Sequence, residues 1–137
     1  MAQTNFAPFI LGGPKKTITL IATADLGAGI AVKLDASNSG QVVVCESGIP
    51  LGFTTGPVQA GLPANIAVMG SDGFAQAGTA ITVTDSPVAC KVTTGGQIIA
   101  VASNKDAIAF WAFQSVADAS SAGSYVPGIV GAGYLSA

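Results

Sequence analysis

The sequence predicts an all-β domain, and three features carry that reading. Short β-branched runs of alternating character recur along the chain, each bounded by glycine, proline or Asp/Ser turns. The 18 glycines are spread through all 137 residues, which leaves no room for a long helix. No segment carries an apolar stripe at helical spacing, and residues 115–121 (SVADASS) offer a short helical turn at most. Strands of five to seven residues at this spacing point to an antiparallel sandwich or barrel.

The elements follow in order. Residues 1–14 (MAQTNFAPFILGGP) form an uncharged apolar arm bearing Phe6, Phe9, Ile10 and Leu11, with Gly12-Gly13-Pro14 as a hinge behind it. A polar disordered tail does not have this composition. Such an arm either docks on another surface or folds back as an edge strand on its own domain. The β core spans residues 15–117, with strands expected at 17–21, 29–34, 41–45, 51–55, 65–69, 79–84, 88–93, 97–102 and 107–113. Turns are expected at 35–40, 71–73 and 94–96, where Asp, Ser, Asn, Thr and Gly cluster. In residues 107–113 (AIAFWAF) alternation gives two apolar faces, so this strand is expected to be buried on both, at a central sheet position or a subunit interface, with a core position favoured for Trp111. Residues 118–137 read as a linker and an apolar, glycine-rich tail anchored by Tyr125 and Tyr134.

Composition then excludes several functions. Half of the residues are hydrophobic and 9% are charged, which is lean for a soluble monomer and favours apolar area covered by partners. The five basic side chains are all lysine, with no cluster larger than Lys15-Lys16, and the net charge is −2. Nucleic acid, whose binding depends on phosphate neutralisation, is not an expected partner. No run is long enough to cross a bilayer, and the amino terminus lacks a secretory pattern, so cytoplasmic synthesis without export is expected. Cys45 and Cys90 sit in apolar alternating runs and are expected as buried, reduced thiols.

No motif carries chemistry. The chain has no histidine, which removes the common Ser/His and Cys/His nucleophile arrangements. A Ser–Lys pair is conceivable, but no nucleophile elbow marks a serine. Asp35 to Glu46 matches a calcium-loop frame at its first, sixth and twelfth positions. Ser37 and Ser39 stand where carboxylates or amides belong, and the flanks are strands, so a hairpin turn is expected there. The glycine runs at 27–29 and 128–133 lack the following helix and the order that phosphate binding needs. No enzyme activity, metal or cofactor is therefore expected.

Residues 49–78 (IPLGFTTGPVQAGLPANIAVMGSDGFAQAG) alternate strand-like runs with tight turns and carry almost nothing reactive. Their pattern of Pro50-Leu51-Gly52-Phe53, the Gly61-Leu62-Pro63-Ala64 turn, then Ile66, Val68, Gly70 and Ala77-Gly78, resembles the capsid cement, or head decoration, proteins of tailed bacteriophages. Residues 92–99 and 107–113 resemble the closing strands of that family, so the resemblance runs from about 17 to 116. The arm and the tail extend beyond the compact core of the family. The resemblance implies a small β-barrel or β-tulip-like protein on the outside of the mature head, at capsomer junctions, often as a homotrimer. The major capsid protein and further copies of the chain would then be its partners. Within that reading, Phe6, Phe9, Ile10, Leu11, Tyr125, Val126, Ile129, Tyr134 and Leu135 are the expected contact residues. A tail or head-fibre module and an adhesive, carbohydrate-binding β-domain are the alternatives.

Overall fold

In the computed structural model, residues 16–101, 106–116 and 124–134 are described. Ten strands and one short 3-10 turn make up the regular structure, and no α-helix occurs among the described residues. The strands divide evenly. β1 (Thr17–Ala22), β2 (Ala31–Leu34), β3 (Gln41–Val44), β4 (Gly52–Thr54) and β5 (Pro63–Val68) close into a barrel of order β1-β3-β2-β4-β5. β6 (Asp72–Gln76), β7 (Val88–Val92), β8 (Ile98–Ala100), β9 (Ala107–Ala112) and β10 (Tyr125–Tyr134) form a sheet of order β6-β10-β9-β7-β8. The all-β expectation holds.

Between the described strands the expected antiparallel pairing holds except for β1 and β3, which run parallel, and the isolated Ala77–Ile98 bridge is parallel as well. Closure explains the β1–β3 pair. Strand direction cannot alternate all the way round a ring of five, so at least one neighbouring pair must be parallel. The closed ring also leaves this half without free edges.

Side-chain alternation makes two cores from one set of strands. Val32 of β2, Val42 of β3 and Ala64 and Ile66 of β5 point into the barrel, joined by Ala22 and Leu26. The intervening Ala31, Phe53 and Ala67 point outward and are still buried, because the second sheet covers this wall. Its inner face supplies Ala75, Cys90, Val92, Ile98, Phe110, Ala112, Val126 and Val130. The largest joint is Phe53 against Phe110, edge to face at 5.3 Å and 62°. Glycine permits the tight barrel: a Cβ on Gly52 would collide with the Ala67 carbonyl and lie 2.7 Å from the Ile66 side chain.

Buried polar groups fix the loops. Thr54 Oγ1 donates to the Gly27 carbonyl at 2.6 Å and accepts the Ile30 N–H at 3.0 Å, pinning the β1–β2 loop across β4. In the β2–β3 hairpin, Asp35 accepts the Ser37 N–H at 2.9 Å, the Asn38 amide at 3.0 Å and the Thr23 hydroxyl at 2.8 Å. These donors, Asn38 foremost, hold its carboxyl below the usual value of 3.8. This is turn chemistry. Glu46, at the far end of the calcium-like frame, accepts the Gly95 N–H at 2.8 Å.

Four expectations are corrected. Residues 71–73 were expected as a turn, but Asp72 opens β6. Residues 79–84 were expected as a strand and hold one isolated bridge, Ile81 with Val116. Beyond it Ser115 Oγ accepts the Val83 N–H at 2.8 Å and donates to the Val83 carbonyl at 3.1 Å, so a side chain replaces the ladder. The apolar tail is no tail over Tyr125–Tyr134, which forms β10 between β6 and β9. Its glycines allow close packing: a Cβ on Gly128 would strike the Trp111 carbonyl and lie 2.7 Å from the Phe110 ring. Finally, Trp111 is not in the core but 36% exposed.

Candidate interaction surface

Register decides what the second sheet shows to solvent. Val126 opposite Ala75, Gly128 opposite Ala112, Val130 opposite Phe110 and Cys90 opposite Phe110 all point inward, onto the barrel. The alternate set must point outward. It includes Phe74 of β6, with the polar Asp72 and Gln76 two positions to either side, Tyr125, Pro127 and Ile129 of β10, Trp111 of β9, Ala89 and Lys91 of β7, and Ile99 of β8. Phe113 continues the series just past β9, where its N–H bonds the Pro127 carbonyl at 2.9 Å.

Cross-strand pairs join these residues into one face. Ile129, Trp111 and Ala89 lie abreast on three adjacent strands. Pro127 is opposite Phe74, and the Phe74 ring meets Tyr125 edge to face at 5.0 Å. The indole of Trp111 lies over Gly131, where a Cβ would come within 2.6 Å of the ring. Tyr125 is 50% exposed and Phe113 40%. A hollow of about 230 Å³ opens beside Phe113, walled by Val83, Asp85 and Pro87.

Charge stays at the margins of this face. Lys91, on β7 near one edge, is paired with Asp106 at 3.1 Å. Asp72, opposite Ile129 on the edge strand β6, is almost entirely buried. Aromatic residues in an apolar field with an ion pair at the rim are the composition of an interface core.

The structure separates the residues expected from sequence to make contacts. Tyr125 and Ile129 lie on this face. Val126 is fully buried against the barrel wall and is withdrawn as a surface contact. Tyr134 ends β10 opposite Ala107 by its backbone, with its side chain outside the described residues. Phe6, Phe9, Ile10, Leu11 and Leu135 also lie outside them. Sequence reasoning missed Phe74 and Pro127, and for the strand of Trp111 and Phe113 it favoured the core over a subunit interface. Alternation did place Trp111 and Phe113 on one side and Phe110 on the other, but it could not say which side faced the core.

Among the described residues no three or more His, Cys, Asp or Glu side chains converge in a way that could hold a metal. Cys45 and Cys90 are both free and buried. Burial pushes the Cys90 thiol up to about 12, so it is neutral and unreactive at ordinary pH. No described helix is long and apolar enough to cross a membrane.

Comparison with known proteins adds a fold likeness. No family model and no curated protein matches the chain. Among solved structures, the chain is similar to the crystal structure of the head fibre gp8.5 N base of bacteriophage phi29, with a TM-score of 0.63. The match covers 89% of this chain and 98% of that one at 14% identity, so the two share a fold with little sequence in common.

Proposed function

We propose that this chain is a structural protein of a phage virion, held on the outer surface of the head by protein–protein contacts and without catalysis. The observation that carries this reading is the fold likeness, over nearly the whole chain, to a head fibre base. The sequence resemblance to head cement proteins rests on other features, the turn and apolar pattern of residues 49–78, and leads to the same place on the particle. Its partners are then the major capsid protein and further copies of itself, with a trimer as the expected form. The protein is made in the host cytoplasm and joins the particle there.

Two forms of attachment fit. A cement protein sits at capsomer junctions and strengthens the shell, as the sequence pattern suggests. A fibre base attaches an appendage, as the fold likeness suggests. In both, a face such as Phe74, Trp111, Phe113 and Tyr125 supplies contact area that salt screens little, because it carries few charges. A sugar-binding platform is disfavoured, since Trp111 is flanked by Ile129, Ala89 and Gly131 rather than by hydrogen-bonding side chains.

The test mixes purified protein with expanded and unexpanded heads of the cognate phage and counts bound copies. Saturable binding that prefers expanded heads and raises their resistance to heat supports the cement form. Saturable binding without stabilisation supports the fibre base. Failure to bind either head overturns the reading.

A further inference from the structure

We propose, on the reading that the outer face of the second sheet binds the head, that Trp111 is the anchor of this contact and that the head surface offers a carbonyl oxygen to its indole N–H.

A bulge in β10 makes the seat of the indole. Val130 is opposite Phe110 and Gly133 is opposite Ile108, so Gly131 and Ala132 share the place across from Ala109. Gly131 stands two residues beyond Ile129, the residue opposite Trp111, and is thus its diagonal neighbour. With no side chain there, the ring settles on the backbone: a Cβ on Gly131 would come within 2.6 Å of Trp111 Cδ1 and 2.7 Å of Nε1. Gly131 does not have a positive φ, so the backbone conformation does not require glycine. The space it leaves serves the ring. An indole seated in advance has little rotamer freedom left to lose on docking.

The N–H is the polar group of this seat. It meets no acceptor among the described residues. Ile129 and Ala89, which flank Trp111 on the adjacent strands, have no polar side-chain atoms. Trp111 is 36% exposed, so in the free chain water can serve the N–H. A head surface that covers the face removes that water. An indole N–H buried without an acceptor would weaken the complex by about 5- to 150-fold, so a well-matched surface carries an acceptor at this point.

The surroundings select the kind of acceptor. Lys91, the lysine on this face, already pairs with Asp106 at 3.1 Å. A carboxylate buried over Trp111 would therefore lack a counter-ion, whereas a carbonyl oxygen needs none.

The test compares the binding of purified heads by the native chain and by Trp111→benzothienylalanine, an isostere with sulfur in place of the N–H. The isostere is expected to bind about 5- to 150-fold more weakly, because the oxygen on the head loses its donor. Equal or tighter binding overturns the proposal, since sulfur would then have relieved an N–H buried without a partner. Gly131→Ala is expected to keep the native unfolding midpoint, to change the indole band in near-ultraviolet circular dichroism, and to bind heads less tightly. In that background the isostere should make little further difference, because a displaced indole no longer reaches the oxygen. Fully additive losses overturn the positioning role of Gly131. Should Gly131→Ala fail to fold, the isostere, which leaves the backbone untouched, decides the matter. Heads that do not bind the native chain overturn the head-binding reading itself; heads that bind native and isostere chains alike overturn only the anchor.

Discussion

The barrel and the second sheet contain five strands each, yet they solve the problem of unsatisfied surface differently. The barrel closes on itself, so every strand has two neighbours and its small interior is sealed by Val32, Val42, Ala64 and Ile66. The sheet stays open and uses one face to cover the barrel wall, which leaves the opposite face apolar and unopposed among the described residues. Closure gives a scaffold; an open sheet with two apolar faces gives a scaffold and a surface. The resemblance to cement proteins draws mainly on residues 49–78, which form β4, β5, β6 and their turns. The candidate contact surface is concentrated instead on β9 and β10, farther along the chain.

The two halves differ in what they expose but share the Phe53–Phe110 joint, and the largest test is whether that joint makes them one unit. Phe110→Ala is expected to cost about 3–5 kcal/mol, measured by urea unfolding, with one cooperative transition retained. A loss under about 1 kcal/mol, or two separate transitions in the native chain, would mean that barrel and sheet are energetically independent.

A smaller effect is expected inside the barrel. Thr54→Val preserves shape but leaves the Gly27 carbonyl and Ile30 N–H without the hydroxyl, at a cost of about 1–3 kcal/mol. If stability is unchanged, the β1–β2 loop is held by packing alone and the barrel is less dependent on polar pinning than its geometry indicates.

The smallest effect belongs to the exposed hairpin at the barrel's end. The carboxyl of Asp35 is held below its usual value of 3.8, so its contribution is complete above that pH and is lost as pH falls toward the lower folded value. Asp35→Asn should therefore melt at a slightly lower temperature than the native chain at pH 6, with the difference narrowing below about pH 4. A difference that persists unchanged at pH 2 would assign the effect to the amide and not to the lost charge.

Much of the barrel was legible in advance because its strands alternate cleanly and its turns use Asp35, Asn38, Gly40 and Gly61, residues whose chemistry is local. The second sheet was less legible for a physical reason. In β10 the inward positions Val126, Gly128 and Val130 are interleaved with Pro127 and Gly131, a composition that resembles flexible backbone until a neighbouring strand is present. Gly128 and Gly131 there are spacers that admit the Phe110 ring and the Trp111 indole, and spacers have no signature without the residues they admit.

The sequence by itself determined the class of structure: glycine spacing and β-branched alternation disfavour long helices, and with no histidine or arginine the chain cannot form a Ser/His or Cys/His nucleophile pair or a guanidinium fork for phosphate. Those are properties of residue types and near neighbours. Which face of AIAFWAF turns inward was decided only by tertiary structure, because both faces are apolar and burial depends on what lies across the sheet. Phe53, more than fifty residues earlier in the chain, claims Phe110 for the core and so leaves Trp111 outside.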